Sequence, residues 1–165
     1  MITEVFNMGR EHHFKAEISW TGNKGVGTTT YEAYSRDHII QCEGKPEILS
    51  SSAPAFRGEA SMYNPEDLLV ASLSSCHMLW YLHLCAEAGI VVTDYTDSAT
   101  GTMVVEKGGA GRFTEVTLHP VVTVERADMI EKANELHKPA NQKCFIANSC
   151  NFPIHHIPRC LSADH

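Results

Sequence analysis

The longest hydrophobic pattern in the chain is an uncharged run between Asp67 and Glu87. Apolar residues occur on every side of a helix drawn through this run, which is typical of a helix covered by protein on all sides. The flanking residues indicate where the helix begins and ends. Asn64 is a favourable N-cap, Pro65 suits the first helical position, and Gly89 favours the left-handed conformation that terminates helices. The pattern predicts one long central helix between Asn64 and Gly89.

A transmembrane span is the alternative interpretation of this run, because uncharged stretches of about 20 residues can cross a bilayer. Three serines, two histidines and two cysteines interrupt the run. Acidic residues flank both ends, where a membrane span would favour Lys or Arg. We therefore interpret the helix as a core element that the rest of the chain and a second subunit surround.

Three strands are predicted before the central helix. Apolar and polar residues alternate over residues 13–20, which is typical of a half-buried strand. A glycine-rich turn follows, and the Thr- and Tyr-rich residues 28–34 are predicted to pair back as a second strand. The third strand is predicted at about residues 37–42, and residues 44–55 are predicted to be a loop that leads to the central helix.

The elements predicted after the central helix are a hairpin, a broken helix and a last strand. They are strands at about 97–106 and 113–124, a helix at 127–138 and a strand at 152–157. Pro120 implies an edge position or a bulge in its strand. Pro139 interrupts the helix, so that Cys144 is expected on a second helical piece that ends near residue 149. Strands and helices in this order predict an α+β fold.

Length and composition restrict the class of protein. A chain of 165 residues with 43% hydrophobic residues predicts a single domain over residues 1–165. The net charge of -7 argues against nucleic acid or an anionic membrane as a main partner. Residues 1–14 contain no apolar segment of the secretory type, so we expect a cytoplasmic protein. Its six cysteines are then buried, redox-active or metal-binding thiols instead of a disulfide framework.

Cys76 lies in the middle of the central helix and is the first candidate for chemistry. A cysteine on a buried helix is usually a small inert residue. Reactivity requires thiolate, and a thiol with an ordinary pKa near 8.5 is only about 3% thiolate at pH 7. Cys76 is too far from the helix N-terminus for the dipole to help, so a cation must activate it. Arg57 is the preferred cation, with Arg36 as the alternative, and Glu66 can orient a guanidinium.

The segment Asn64-Pro65-Glu66-Asp67-Leu68-Leu69, with Cys76 ten residues after Glu66 and Cys144 on a late helix, resembles the OsmC/Ohr family of organic hydroperoxide reductases. The resemblance covers most of the chain, although the family often has Pro where Phe145 follows Cys144. It implies an OsmC-like fold, in which antiparallel sheets wrap around the long central helices of an intertwined homodimer. The sites are then expected at the subunit interface.

The resemblance also implies a role for each candidate residue. Cys76 is the peroxidatic thiolate, Cys144 the resolving thiol, Glu66 the orienting acid and Arg57 the activating cation. Cys76 would reduce an organic hydroperoxide to an alcohol and become a sulfenic acid, with which Cys144 condenses to a disulfide. An external dithiol, which the family suggests is a lipoylated protein, would reduce that disulfide. The sequence contains no flavin or nicotinamide motif, and we expect no bound cofactor or metal.

Two other classes of function stay open at this point. A metal site could use Cys76 and the histidines at 77, 83, 155 and 156, although the chain lacks C-x-x-C and H-E-x-x-H spacings. His77 and His83 are more simply explained as hydrogen-bonded core histidines. The second alternative is a catalytically silent OsmC-like stress protein that binds a small apolar ligand. The remaining cysteines, at 42, 85, 150 and 160, receive no role from the sequence.

Overall fold

The computed structural model describes residue 9 and residues 11–163. The chain divides into two compact units, Met1–Pro65 and Glu66–His165. The described residues form nine strands and four α-helices. In chain order these are β1 Glu17–Trp20, β2 His38–Gln41, β3 Ile48–Ser50, α1 Pro65–Glu87, β4 Val92–Asp97, β5 Thr100–Val105, β6 Gly111–Leu118, β7 Pro120–Val124, α2 Ile130–Glu135, α3 His137–Lys143, α4 Phe145–Asn148, β8 Ile154–His156 and β9 Arg159–Ser162.

The first unit is an antiparallel sheet in the order β1-β2-β3, with Ile18 opposite Ile40. The strand predicted at 28–34 is wrong, because these residues form turns. The tyrosine rings that contributed to the strand prediction pack against a cation instead. The Arg36 guanidinium lies 4.1 Å from the Tyr31 ring centroid and 4.3 Å from that of Tyr34. The predicted loop at 44–55 is also wrong in part, since it contains β3.

The predicted central helix is confirmed as α1, Pro65–Glu87. Gly89 ends it with a φ of 71°, a left-handed conformation that a side chain would strain. The Ile90 N–H donates to the Cys85 carbonyl at 2.9 Å, and the Gly89 N–H donates to the Ala86 carbonyl at 3.3 Å. These two bonds form the Schellman pattern, so the end of the helix is fixed by local chemistry.

Only one face of α1 is fully buried in the described chain, and cover of the other faces by a second subunit stays a prediction. The buried residues recur at intervals of four: Leu73, His77, Tyr81 and Cys85. On another face Ala71, Ser75 and Leu79 are exposed. By length and composition α1 could also cross a membrane, but core helices of soluble proteins share these properties.

The second unit contains two three-stranded sheets, in the orders β4-β7-β9 and β5-β6-β8. The pairs β6–β8 and β7–β9 are parallel and the others are antiparallel, so the α+β class is confirmed with mixed sheets in this unit. Strands β4 and β9 were not predicted. The strand predicted at 113–124 divides at His119, whose N–H donates to Asp97 Oδ1 at 2.7 Å, and Pro120 begins the strand in the other sheet.

The predicted broken helix is present, but its break lies earlier than Pro139. Helix α2 ends before Leu136, and α3 begins at His137. Pro139 therefore lies in the first turn of α3. An N–H at this position has no acceptor within the helix, so proline costs no hydrogen bond there. Cys144 has an extended backbone between α3 and α4, so its predicted position within a helix is wrong.

A cluster of aromatic side chains joins α1 to α3 in the core of the second unit. His77 Nε2 and His137 Nδ1 are 3.0 Å apart, and both residues are buried. The Tyr81 ring stacks on His137 with centroids 4.0 Å apart, and the His156 ring lies 5.7 Å from that of His77. The prediction of His77 as a hydrogen-bonded core histidine is confirmed.

Burial keeps the two clustered histidines neutral. Burial, together with a smaller lowering by His156 and a small opposing effect of Asp97, lowers the pKa of His77 to about 4. Burial also lowers the pKa of His137 to about 3. Folding therefore disfavours protonation of both rings, since a buried imidazolium loses its hydration.

We expect the free energy of unfolding to fall as the pH is lowered from about 6.5 towards 4. The unfolded chain binds a proton at His77 below about pH 6.5, while the folded chain does not until about pH 4. The contribution of neutral His77 to the free energy of unfolding is therefore fully present above the pKa that His77 has in the unfolded chain. It is lost on acidification, by about 2 kcal/mol at pH 5. Urea unfolding at pH 7 and pH 5 measures this loss.

The matched comparison is His77→Gln with His155→Gln, which changes an exposed histidine. Between pH 7 and pH 5, the free energy of unfolding of His77→Gln should fall by about 2 kcal/mol less than that of the wild type. The fall for His155→Gln should equal that of the wild type. An equal loss in all three proteins would contradict the assignment of His77 as a buried neutral base.

Candidate functional site

The structure brings Cys76 and Cys144 together in the second unit. Cys76 lies on α1 and is half-buried, while Cys144 is 1% exposed and lies between α3 and α4. The Cys76 side chain is near enough to Cys144 to raise the pKa of the Cys144 thiol. All six cysteines are free thiols. The two residues that the sequence analysis selected as the reactive pair are therefore neighbours, although 68 positions separate them.

The two thiols of this pair differ in burial, and burial keeps the Cys144 thiol protonated. Burial, with a smaller contribution from the neighbouring Cys76 side chain, raises the pKa of Cys144 to about 12. The N–H groups of Ala147 and Ile146 act in the opposite direction, and the Ala147 N–H donates to Cys144 Sγ at 3.4 Å. Cys144 therefore keeps its proton at neutral pH.

Two aromatic residues near the thiols in sequence form a pair. Trp80 lies one helical turn after Cys76, and Phe145 directly follows Cys144. Their rings meet edge to face with centroids 5.5 Å apart, and Phe145 is 64% exposed. The Lys143 ammonium lies 5.3 Å from the Trp80 ring centroid. The sequence analysis did not select Phe145 as a site residue, although its position beside Cys144 was a usable signal.

Glu66 lies in the first turn of α1, and its acidic side chain is favourable there because the helix N-terminus carries partial positive charge. Its Oε2 atom is buried and accepts no hydrogen bond from the residues that the structure describes. A buried carboxylate oxygen without a donor costs about 1 to 3 kcal/mol or more. This oxygen is chemically suited to accept a hydrogen bond from a guanidinium.

The two candidate cations both lie in the first unit. Arg57 follows a short 3-10 turn and has a left-handed φ of 64°. Its Nη1 is 3.1 Å from Glu32 Oε1, and its side chain is 52% exposed. Arg36 donates to the carbonyls of Tyr31 and Tyr34, each at 2.7 Å. The choice between Arg57 and Arg36 as the activating cation stays a prediction.

The histidines considered as metal ligands are arranged in other ways. His77 bonds to His137, and His83 Nε2 lies 3.5 Å from Glu87 Oε1 at the partly exposed end of α1. His83 is thus not the core histidine that was expected. Over residue 9 and residues 11–163, no group of three or more His, Cys, Asp or Glu side chains could hold a metal ion.

Solved structures share the fold of this chain. An OsmC-like protein of unknown function from Vibrio cholerae is 30% identical, with a TM-score of 0.80 over 90% of this chain and 99% of that protein. An organic hydroperoxide resistance protein from Elizabethkingia anophelis is 20% identical, with a TM-score of 0.68 over 94% and 99% of the two chains. The organic hydroperoxide resistance protein OsmC from Legionella pneumophila is 15% identical, with a TM-score of 0.66 over 91% and 97%. No curated protein sequence matches the chain.

The sequence also matches the OsmC-like protein family over residues 58–157, the range that contains α1 and both thiols of the reactive pair. The family match spans more than half of the chain, and the Vibrio cholerae structure matches nearly all of it. The chain belongs to the OsmC family.

Proposed function

We propose that this protein reduces organic hydroperoxides to alcohols through Cys76 and Cys144, as part of oxidative stress defence. The observation that carries the proposal is the pair of neighbouring thiols, in which the buried member, Cys144, holds its proton. A half-buried nucleophile beside a protonated second thiol is the arrangement that a two-cysteine peroxidase requires. The names of the Elizabethkingia anophelis and Legionella pneumophila proteins support the same activity.

Cys76 performs the first step of the proposed reaction. Its thiolate attacks the distal oxygen of the hydroperoxide, the O–O bond breaks, and the sulfur becomes a sulfenic acid. The leaving alkoxide takes a proton and departs as the alcohol. The sulfur is oxidised by two electrons, and the peroxide is reduced by the same two electrons.

Cys144 performs the second step. Its sulfur attacks the Cys76 sulfenic acid, the S–O bond breaks, and the hydroxyl leaves as water with the Cys144 proton. The N–H groups of Ala147 and Ile146 favour negative charge on the Cys144 sulfur during this attack. The product is a Cys76–Cys144 disulfide. An external dithiol then reduces it by thiol–disulfide exchange, and we propose a lipoylated protein of the cytoplasm as the source.

The aromatic pair supports an organic substrate. Trp80 and Phe145 place two rings beside the thiols, and such rings offer apolar surface to an alkyl or aryl group but little to hydrogen peroxide. Arg57 and Glu66 complete the proposal: the guanidinium stabilises the Cys76 thiolate, and the carboxylate orients the guanidinium.

We also propose that the protein acts as a homodimer. The exposed face of α1, with Ala71, Ser75 and Leu79, carries small or apolar side chains, and Leu79 is 63% exposed. Packing this face against a second copy would remove it from water. Sedimentation velocity at low micromolar concentration should therefore show a dimer without a folded monomer.

Leu79→Glu should shift sedimentation towards monomer or unfolded chain, because a carboxylate would be buried at the contact. Val105→Glu, at an exposed end of β5, is the matched control and should leave the dimer unchanged. A compact wild-type monomer at this concentration would contradict the dimer.

The roles of the two thiols are separable by substitution. Cys76→Ser should abolish hydroperoxide consumption in the presence of a dithiol, because a serine hydroxyl is not a comparable nucleophile at neutral pH. Cys144→Ser should undergo one oxidation and stop at the sulfenic acid, which a dimedone-type reagent traps. A peroxide-consumption assay and mass spectrometry measure these outcomes, with Cys42→Ser as a control outside the pair.

Peptide mapping of the peroxide-treated wild type should find the Cys76–Cys144 link. A dominant Cys144–Cys150 or Cys76–Cys85 bond would contradict the pairing. Equal single-turnover oxidation of the two serine variants would contradict the mechanism. Failure of the wild type to consume any organic hydroperoxide would instead favour a catalytically silent protein that binds an apolar ligand.

The activating cation is tested by alkylation of Cys76. Arg57→Ala should slow the reaction of Cys76 with iodoacetamide at pH 7 towards the rate of an ordinary cysteine, since loss of the cation destabilises the thiolate. Arg57→Lys keeps the charge and should retain part of the rate, and Arg112→Ala should have no effect. An unchanged rate in Arg57→Ala would transfer the role to Arg36.

A further inference from the structure

The proposed reaction requires Cys144 to meet Cys76, and the segment that carries Cys144 is held at two points. Helix α3 begins at His137 and ends at Lys143, directly before Cys144. Cys144, which directly follows its far end, interacts with Cys76. Its near end contacts His77, the residue that follows Cys76 on α1. A rigid helix of about 10 Å is therefore held against α1 at both ends.

The contact at the near end is specific and buried. His77 Nε2 and His137 Nδ1 are 3.0 Å apart, so the N–H of one ring donates to the bare nitrogen of the other. His77 is 0% exposed and His137 is 1% exposed. Tyr81, one turn after His77, stacks on the His137 ring with an interplanar angle of 12°. Loss of either nitrogen would leave its buried partner atom without a hydrogen bond and would remove this link between α1 and α3.

We propose that His77 and His137 are positioning residues for the resolving step, because their hydrogen bond fixes α3 so that Cys144 lies against Cys76. This inference rests on the proposed function, in which the two thiols form a disulfide. Neither histidine touches the reacting sulfur atoms. Their effect is on the effective concentration of the Cys144 thiol at Cys76.

The matched substitutions follow from which ring nitrogen each histidine uses. Asn places a polar atom near the Nδ1 position of histidine, and Gln places one near Nε2. His137→Asn and His77→Gln therefore keep a hydrogen bond between α1 and α3. His137→Phe keeps the ring that stacks on Tyr81 but removes the bond, and His77→Asn is too short to reach.

The experiment is a redox titration of the full chain in glutathione buffers, with alkylation to stop exchange and peptide mapping to quantify the Cys76–Cys144 disulfide. Glutathione disulfide takes two electrons and two protons from the thiol pair, and two glutathione thiols form. At half-oxidation, the square of the glutathione concentration divided by the glutathione disulfide concentration gives the effective concentration of the pair.

His137→Phe should lower this effective concentration at least tenfold, while His137→Asn should stay within about threefold of the wild type. His155→Phe, the same change at an exposed position of β8, should have no effect. A folded His137→Phe variant with the wild-type equilibrium would overturn the inference. If His137→Phe does not fold, the two His77 variants test the inference. The effective concentration in His77→Asn should then be at least fivefold lower than in His77→Gln. Equal effective concentrations in these two variants would overturn the inference.

The titration contains no hydroperoxide, so it separates this inference from the proposed activity. If the histidine variants show the expected order of effective concentrations but the wild type consumes no hydroperoxide, the proposed activity is overturned and the positioning role is supported. Normal hydroperoxide consumption with no difference among the histidine variants would overturn the positioning role and support the activity.

Discussion

The second unit depends on how α1 satisfies the polar groups that it buries. Its buried face carries Leu73, His77, Tyr81 and Cys85, so two of the four positions bring polar atoms into the core. The hydrogen bond between His77 and His137, 3.0 Å long, gives one of these groups its partner. An apolar face would let α3 slide or rotate with little penalty, whereas a buried polar contact defines one register. The polar residues of α1 thus determine where the chain after α3 lies.

The reactive pair uses the same buried environment for a different purpose. Burial raises the pKa of Cys144 to about 12 and so keeps it protonated, while Cys76 on the half-buried side of α1 remains accessible. Two chemically identical side chains become unequal because one is inside and the other lies at the edge. The order of the proposed reaction follows from this difference. A thiol that holds its proton is a poor first nucleophile but is well placed to attack a neighbouring sulfenic sulfur.

The sequence predicts the parts of this structure that depend on neighbouring residues. The start of α1 near Pro65, its end at Gly89 and the split near Pro139 all have local signals, and the glutamate-to-cysteine spacing identifies the family. The errors occur where particular side-chain contacts, near or distant in sequence, determine the structure. Residues 28–34 have strand-like composition, but their rings pack on the Arg36 guanidinium. His137 lies 60 positions from His77, and nothing near either residue indicates that they pair.

The residue after Cys144 shows why a departure from the family pattern need not weaken the site. Proline is favourable at the first position of a helix because that position needs no N–H, and α4 begins at this point with Phe145. The helix keeps its cap without proline, since Cys144 Sγ accepts the Ala147 N–H at 3.4 Å. Phenylalanine adds what proline lacks, a ring that meets Trp80 at 5.5 Å beside both thiols. The substitution therefore leaves the backbone of the resolving cysteine intact and changes the surface that an organic substrate would meet.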